Sequence, residues 1–266
     1  MNARHAAVLE GWAVPVLAKP RWDHTYVISS CGLRWGCNGG WTGGQKVCSG
    51  TGSSIIADCL SQPQSLAGIN CGVTGVCHQM SNRILHPTGG LTVAGCRGYQ
   101  LSHFAYGVYG RGSWTSRQAC YAAGTALAGT GGGSEGVSMT SKLAYDRAVA
   151  DAHARGTSED AVRFAELEAL TRSELAEPLD HETLTALFGI QTMLHDSQQA
   201  LADALESGEL HREAYLAQVY ALLRSSLDRC QALIGPERTF ALFGEAVEDP
   251  EGLIDRASFL EGPAAH

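Results

Sequence analysis

The sequence predicts an α+β N-terminal domain followed by an all-α helical bundle, and three observations point there. Cys31, Cys37, Cys48, Cys59, Cys71, Cys77, Cys96 and Cys120 all lie in the first half, among Gly, Trp and Tyr, and only Cys230 lies in the second. Gly129-Thr130-Gly131-Gly132-Gly133-Ser134-Glu135-Gly136 has the composition of a flexible linker and marks the change. Beyond it Ala, Leu and Glu dominate, with apolar residues at helical spacing. The expected division is 1–128, a linker at 129–136, and 137–266.

In the first part, His24-Thr25-Tyr26-Val27-Ile28-Ser29 is β-branched and aromatic and reads as a strand. Cys31-Gly32 makes a turn, and Leu33-Arg34-Trp35 a returning strand. Gly39-Gly40-Trp41-Thr42-Gly43-Gly44 reads as a loop, and Ser53 to Leu60 as a short helix stopped before Pro63. Thr74 is the expected cap of a helix from Gly75 to Leu85, with Pro87 beyond its end. Val76, Met80 and Ile84 recur four apart and form its buried stripe. Leu91 to Ala94 and His103 to Tyr109 read as two further strands.

The second part reads as a small antiparallel bundle. From Glu182 to Glu206, Leu184, Leu187, Phe188, Leu194, Leu201 and Leu205 keep helical spacing, with Asp180 as N-cap and Gly208 as the stop. From Leu210 to Ile234, Leu216, Val219, Tyr220, Leu223, Leu227 and Cys230 mark another apolar face, closed by Gly235-Pro236. Segments 141–155 and 159–176 complete the expected helices.

Hydrophobic residues make up 44% of the chain and charged residues 17%, enough apolar material for a packed core. The net charge of −8 argues against a nucleic-acid or anionic membrane surface as partner. The apolar start Ala6-Ala7-Val8-Leu9 is interrupted by Glu10, too short for a signal peptide, and no apolar run reaches the roughly 18 residues of a spanning helix. The expectation is a cytoplasmic chain with reduced thiols.

The segment Asn70-Cys71-Gly72-Val73-Thr74-Gly75-Val76-Cys77-His78-Gln79-Met80 carries the candidate chemistry. With Thr74 as cap, Cys77 falls in the first helical turn, where unpaired N–H groups and the helix dipole favour a thiolate and lower the thiol pKa. Gly72 and Gly75 leave room for a substrate, and nearby N–H groups can receive an oxyanion. A cysteine nucleophile needs a base. His24, opening a strand, is the first candidate and His103 the second. His78 follows Cys77 directly and points about 100° away around the helix.

A helix that begins with Cys77, together with the pattern His24-Thr25-Tyr26-Val27-Ile28 opening a strand, resembles the papain-like NlpC/P60 superfamily. With His24 ahead of Cys77, the order is similar to the circularly permuted branch that includes lecithin:retinol acyltransferase-like proteins. In the ordinary branch the base follows the cysteine, which favours His103. The resemblance covers about the first half. It implies a papain-like mixed fold and cleavage or acyl transfer of an amide, ester or thioester through a thioester at Cys77; no cofactor or metal is expected. Whichever of His24 and His103 is not the base would serve as the orienting polar residue. The implied partner is a small-molecule or peptide substrate.

The alternative is a non-enzymatic binding protein holding structural zinc or an iron–sulfur cluster. Cys31, Cys37, Cys48, Cys71, Cys77, His78, His86 and Cys96 supply ligands, but no C-x-x-C pair is present. Gly39 to Gly44 fits neither a phosphate loop nor a dinucleotide fingerprint, and Lys46 lacks the spacing. His153, His181, His195 and His211 form no zinc-protease pair and read as surface residues. The helices 182–206 and 210–234 also offer a face for a protein partner or a homodimer.

Overall fold

The computed structural model describes residues 6–17, 19–36, 42–52, 57, 67–111 and 159–261. The linker at 129–136, the helix at 141–155 and nearly all of Ser53 to Leu60 lie outside these residues. Within them the fold is mixed α+β, an antiparallel sheet followed by helices.

Strands β1 (Ala7–Val16), β2 (Lys19–Ser29), β3 (Arg34–Gly36) and β4 (Gln45–Gly52) form one sheet in the order β3-β2-β1-β4. β1 pairs with β2 from Leu9↔Ser29 to Val14↔His24, and with β4 on its other edge. The alternation of β1 sends Ala7, Leu9, Gly11 and Ala13 inward. Gly11 is small for a reason: a Cβ there would lie 2.6 Å from Cys48 Sγ. The apolar chain start is therefore the inner face of a strand. As expected, His24 to Ser29 is strand, the chain turns at Cys31-Gly32, and Arg34 and Trp35 return beside β2.

Helix α1 (Cys77–Leu85) lies across β2 and is buried from His78 to Leu85, well beyond the expected stripe of Val76, Met80 and Ile84. Polar groups so deep must find partners. Ser81 donates to Thr25 Oγ1 at 3.0 Å, Asn82 Nδ2 to Val108 O at 2.7 Å, and Arg83 Nη1 to Ala67 O at 3.0 Å. The cap differs from expectation. Val76, not Thr74, is the N-cap; its N–H donates to Gln79 Oε1 at 3.1 Å, half of a capping box, since valine has no acceptor to return. Thr74 Oγ1 instead accepts from Asn70 N–H at 2.9 Å and closes the preceding turn.

The strand expected from His103 to Tyr109 is also corrected. Residues Tyr99–Tyr106 form helix α2, bounded by Gly98 at φ 78 and Gly107 at φ 74. Its residues are buried on every side except Gln100, so no helical period marks it, and its aromatic content imitates a strand. Leu91 to Ala94 is not a strand either: Val93 N–H donates to Asn82 Oδ1 at 3.0 Å rather than to a ladder.

The later helices are α3 (Glu159–Glu174), α4 (His181–Glu206), α5 (Arg212–Ile234), α6 (Pro236–Phe243) and α7 (Arg256–Glu261). Asp180 caps α4 as expected, accepting from Thr183 N–H at 2.7 Å, and Gly208 follows its end at φ 80. Gly235 closes α5, while Pro236 opens α6 at a position where a missing N–H costs nothing.

Two cores form. One joins the sheet to α1 through Leu9, Val27, Met80, Ile84 and Val93. The other unites Leu101, Phe104 and Tyr106 of α2, with Trp22 and Val76, to Leu187, Tyr215, Leu223 and Phe243 of the later helices. The early part of the chain thus contributes a helix to the core of the later part. Among the described residues, no helix is long and apolar enough to cross a membrane.

Candidate functional site

Cys77 is the first residue of α1 and half-buried. Its sulfur meets β2 at Asp23, with Sγ 4.0 Å from Asp23 O, and the nearby N–H and hydroxyl of Thr25 and N–H of His78 favour its thiolate electrostatically. Thr25 Oγ1 accepts from Ser81 Oγ, one turn into α1, at 3.0 Å, so its own proton is not used in that bond. Asp23 is itself anchored. Its N–H donates to Arg97 O at 3.2 Å, and its carboxylate accepts from Arg97 N–H at 2.9 Å and from Arg97 Nη2 at 2.7 Å.

The expected depression of the Cys77 pKa is corrected. Burial pushes the thiol up to about 11; the donors from Thr25 and His78 act the other way, and neighbouring Cys71 adds to the rise. Desolvation outweighs the helix start here, so at rest the group is a thiol.

The three histidines divide by position. His24 lies between Asp23 and Thr25 on β2; alternation turns it to the face opposite Thr25, and burial, then His78, lower its pKa to about 4. His78 has both nitrogens engaged, Nδ1 with Ser102 Oγ at 2.8 Å and Nε2 with Asp23 O at 3.1 Å. A carbonyl can only accept, so Nε2 carries the proton, and Nδ1 shares the one proton of Ser102 Oγ with Tyr99 O, also at 2.8 Å; burial keeps this ring neutral, with a pKa near 4. His103 opens no strand. It sits in the last turn of α2 with Nε2 3.9 Å from Glu166 Oε2 of α3, its ring 5.8 Å from that of Tyr99.

Sequence reasoning missed Thr25 and Asp23 as partners of the sulfur. Their contribution is largely main-chain, which residue type does not disclose. It also read His195 as a surface residue, whereas His195 is 6% exposed. Among the described residues, no three His, Cys, Asp or Glu side chains gather as a metal ion would require, so the zinc or iron–sulfur alternative finds no ligand set there. No family model, no curated protein and no solved structure matches the chain.

Proposed function

We propose that the chain is a cysteine-dependent hydrolase or acyltransferase acting on an amide or thioester, with Cys77 as nucleophile. The observation that supports this reading is one half-buried sulfur at a helix start, 4.0 Å from Asp23 O, with Thr25 and the His78 N–H nearby where they favour its thiolate.

His24 is assigned as base by elimination, because His78 has both nitrogens engaged and His103 faces Glu166; at rest the His24 ring is turned to the face of β2 opposite Thr25. Sγ attacks the carbonyl carbon as its proton passes to the His24 imidazole. The amine or thiol leaves with that proton, and water or a second acceptor then cleaves the thioester.

The energetics constrain the order of these steps. With the thiol near 11 and the imidazole near 4, a separated thiolate–imidazolium pair lies on the order of 10 kcal/mol above the neutral pair. Proton transfer must therefore accompany attack, as for a hydroxyl nucleophile, and the donors at the sulfur act on charge as it develops.

Intact-mass analysis after exposure to a p-nitrophenyl ester and to an acyl thioester tests the proposal. One acyl adduct, mapped to Cys77 and lost in Cys77→Ala, is expected; absence of an adduct, or its placement on another cysteine, overturns the reading. His24→Ala should slow acylation at least 100-fold.

A further inference from the structure

Away from Cys77, helix α4 carries a polar stripe inside its otherwise apolar buried face. Gln191, His195 and Gln198 lie four and three residues apart, one above the other, continuing the line of Leu184 and Leu187. Gln191 Nε2 and His195 Nε2 both donate to Phe104 O of α2, each at 3.1 Å. That fixes the tautomer: His195 Nδ1 is an acceptor, and Arg163 Nη1 of α3 donates to it at 3.0 Å. Arg111 approaches from the other side, Nη1 donating to His195 O at 3.3 Å and Nη2 to Val73 O.

Two guanidiniums thus close on His195, Arg163 at the neutral imidazole and Arg111 at the main-chain carbonyl; burial is the main cause of its lowered pKa and both arginines add to it. Asp160 accepts from Arg163 Nη2 at 2.6 Å and is itself largely exposed. Among the described residues several buried polar atoms here have no partner: Arg111 Nε, Arg163 Nε, Gln191 Oε1, Thr192 Oγ1, and both ends of the Gln198 amide. Gln198 is 0% exposed, and a fully buried amide with neither end satisfied is costly unless something occupies the space.

We propose that the cluster of Arg111, Arg163, His195, Gln191 and Gln198 between α2, α3 and α4 binds a small oxyanion that carries its own proton or hydroxyl, hydrogen phosphate or a hydroxycarboxylate. The unmet guanidinium and amide N–H groups match the oxygens of such an anion, and the unmet Gln191 and Gln198 oxygens match its O–H. A simple carboxylate or chloride satisfies only the first set. The two arginines supply the charge that makes an anion, rather than water, the better occupant.

Thermal unfolding and isothermal titration of the full chain with inorganic phosphate, with citrate, and with sodium chloride at matched ionic strength test this. Phosphate or citrate should raise Tm by several degrees and titrate with one site, while chloride does neither; which of the two binds more tightly identifies the class of oxyanion. Gln198→Leu, which fills the same space with apolar atoms, should abolish the phosphate and citrate response while leaving the fold intact by circular dichroism. Arg163→Met should weaken binding at least tenfold. No shift with either anion, or a shift that survives in Gln198→Leu, overturns the proposal and leaves buried water as the occupant.

Discussion

The hydroxyls of Tyr106 and Tyr215 donate to a single acceptor, the carbonyl oxygen of Gly72, at 3.1 and 3.0 Å. One tyrosine comes from α2 and the other from α5, so the turn leading to Cys77 is held by both parts of the chain. Burial keeps the phenols protonated, with Tyr215 pushed up to about 12 and Tyr106 also well above its usual value. Either hydroxyl can satisfy the carbonyl when the other is absent. Tyr215→Phe should therefore cost about 1 kcal/mol, but the double variant with Tyr106→Phe should exceed the sum of the singles by about 1–3 kcal/mol, because a buried carbonyl is then left unmet. Urea midpoints at constant m-value give both numbers.

Stability should fall with acid over a defined window. His78 and His195 are buried and neutral, with burial the main cause of pKa values near 4 and 3. In the unfolded chain each titrates near 6.5. Between these limits the unfolded state binds protons that the native state refuses, so stability is fully present above about pH 6.5 and is lost as pH falls toward 4 and below. Each such histidine adds about 1.4 kcal/mol per pH unit to the slope within that window. His24 and His86 act in the same direction. His78→Asn should remove close to one proton from the slope of urea stability against pH between 6 and 4.5, whatever it does to stability at pH 8.

What could be read from the sequence follows the physics of each element. Helix α4 was legible because its cap and its stripe act locally: Asp180 accepts from Thr183 N–H, and Leu184 and Leu187 face one way. β2 was legible through Thr25-Tyr26-Val27-Ile28. Helix α2 was not, because Leu101, Phe104 and Ala105 face one core while Tyr99 faces the other, which erases the polar side a pattern needs. β4, with Gln45, Lys46, Ser49 and Thr51 exposed, has too little apolar content to announce a strand and is held by its pairing to β1. At the candidate site Cys77 was legible as the start of a helix, although its cap lay two residues later than Thr74 suggested. The direction of its pKa was not, since desolvation depends on what folds over the sulfur.

Trp22 shows how closely two distant segments approach. A Cβ on Gly98 would lie 2.2 Å from its ring, and one on Gly252 would lie 1.9 Å from Nε1, which donates to Asp249 O at 2.9 Å. Gly98 is also at φ 78, where a side chain is strained. Gly98→Ala combines that strain with overpacking and should cost about 3 kcal/mol. Gly95→Ala, three residues earlier with nothing within 4 Å and no positive φ, should change stability by less than about 0.5 kcal/mol. Denaturation followed by tryptophan fluorescence separates the two.

The reactivity of Cys77 should follow the thiol and not an ion pair. Alkylation proceeds through the thiolate, whose fraction at pH 7 is only about one part in ten thousand for a pKa near 11. In the resting protein, labelling of Cys77 by iodoacetamide should therefore be slow at pH 6 to 7 and climb about tenfold per pH unit up to pH 9, with no plateau. Exposed Cys31 in the same sample serves as the internal comparison and should label faster at pH 7. Thr25→Val removes a hydroxyl that favours the Cys77 thiolate while keeping the strand and the main-chain N–H, so it should raise the thiol pKa further and lower the labelling rate of Cys77 at every pH below 9. Peptide mapping of the alkylated cysteines over a pH series measures each rate. A rate for Cys77 that is already maximal at pH 6 would mean that the sulfur is ionised at rest, and the concerted transfer to His24 would then give way to a preformed ion pair.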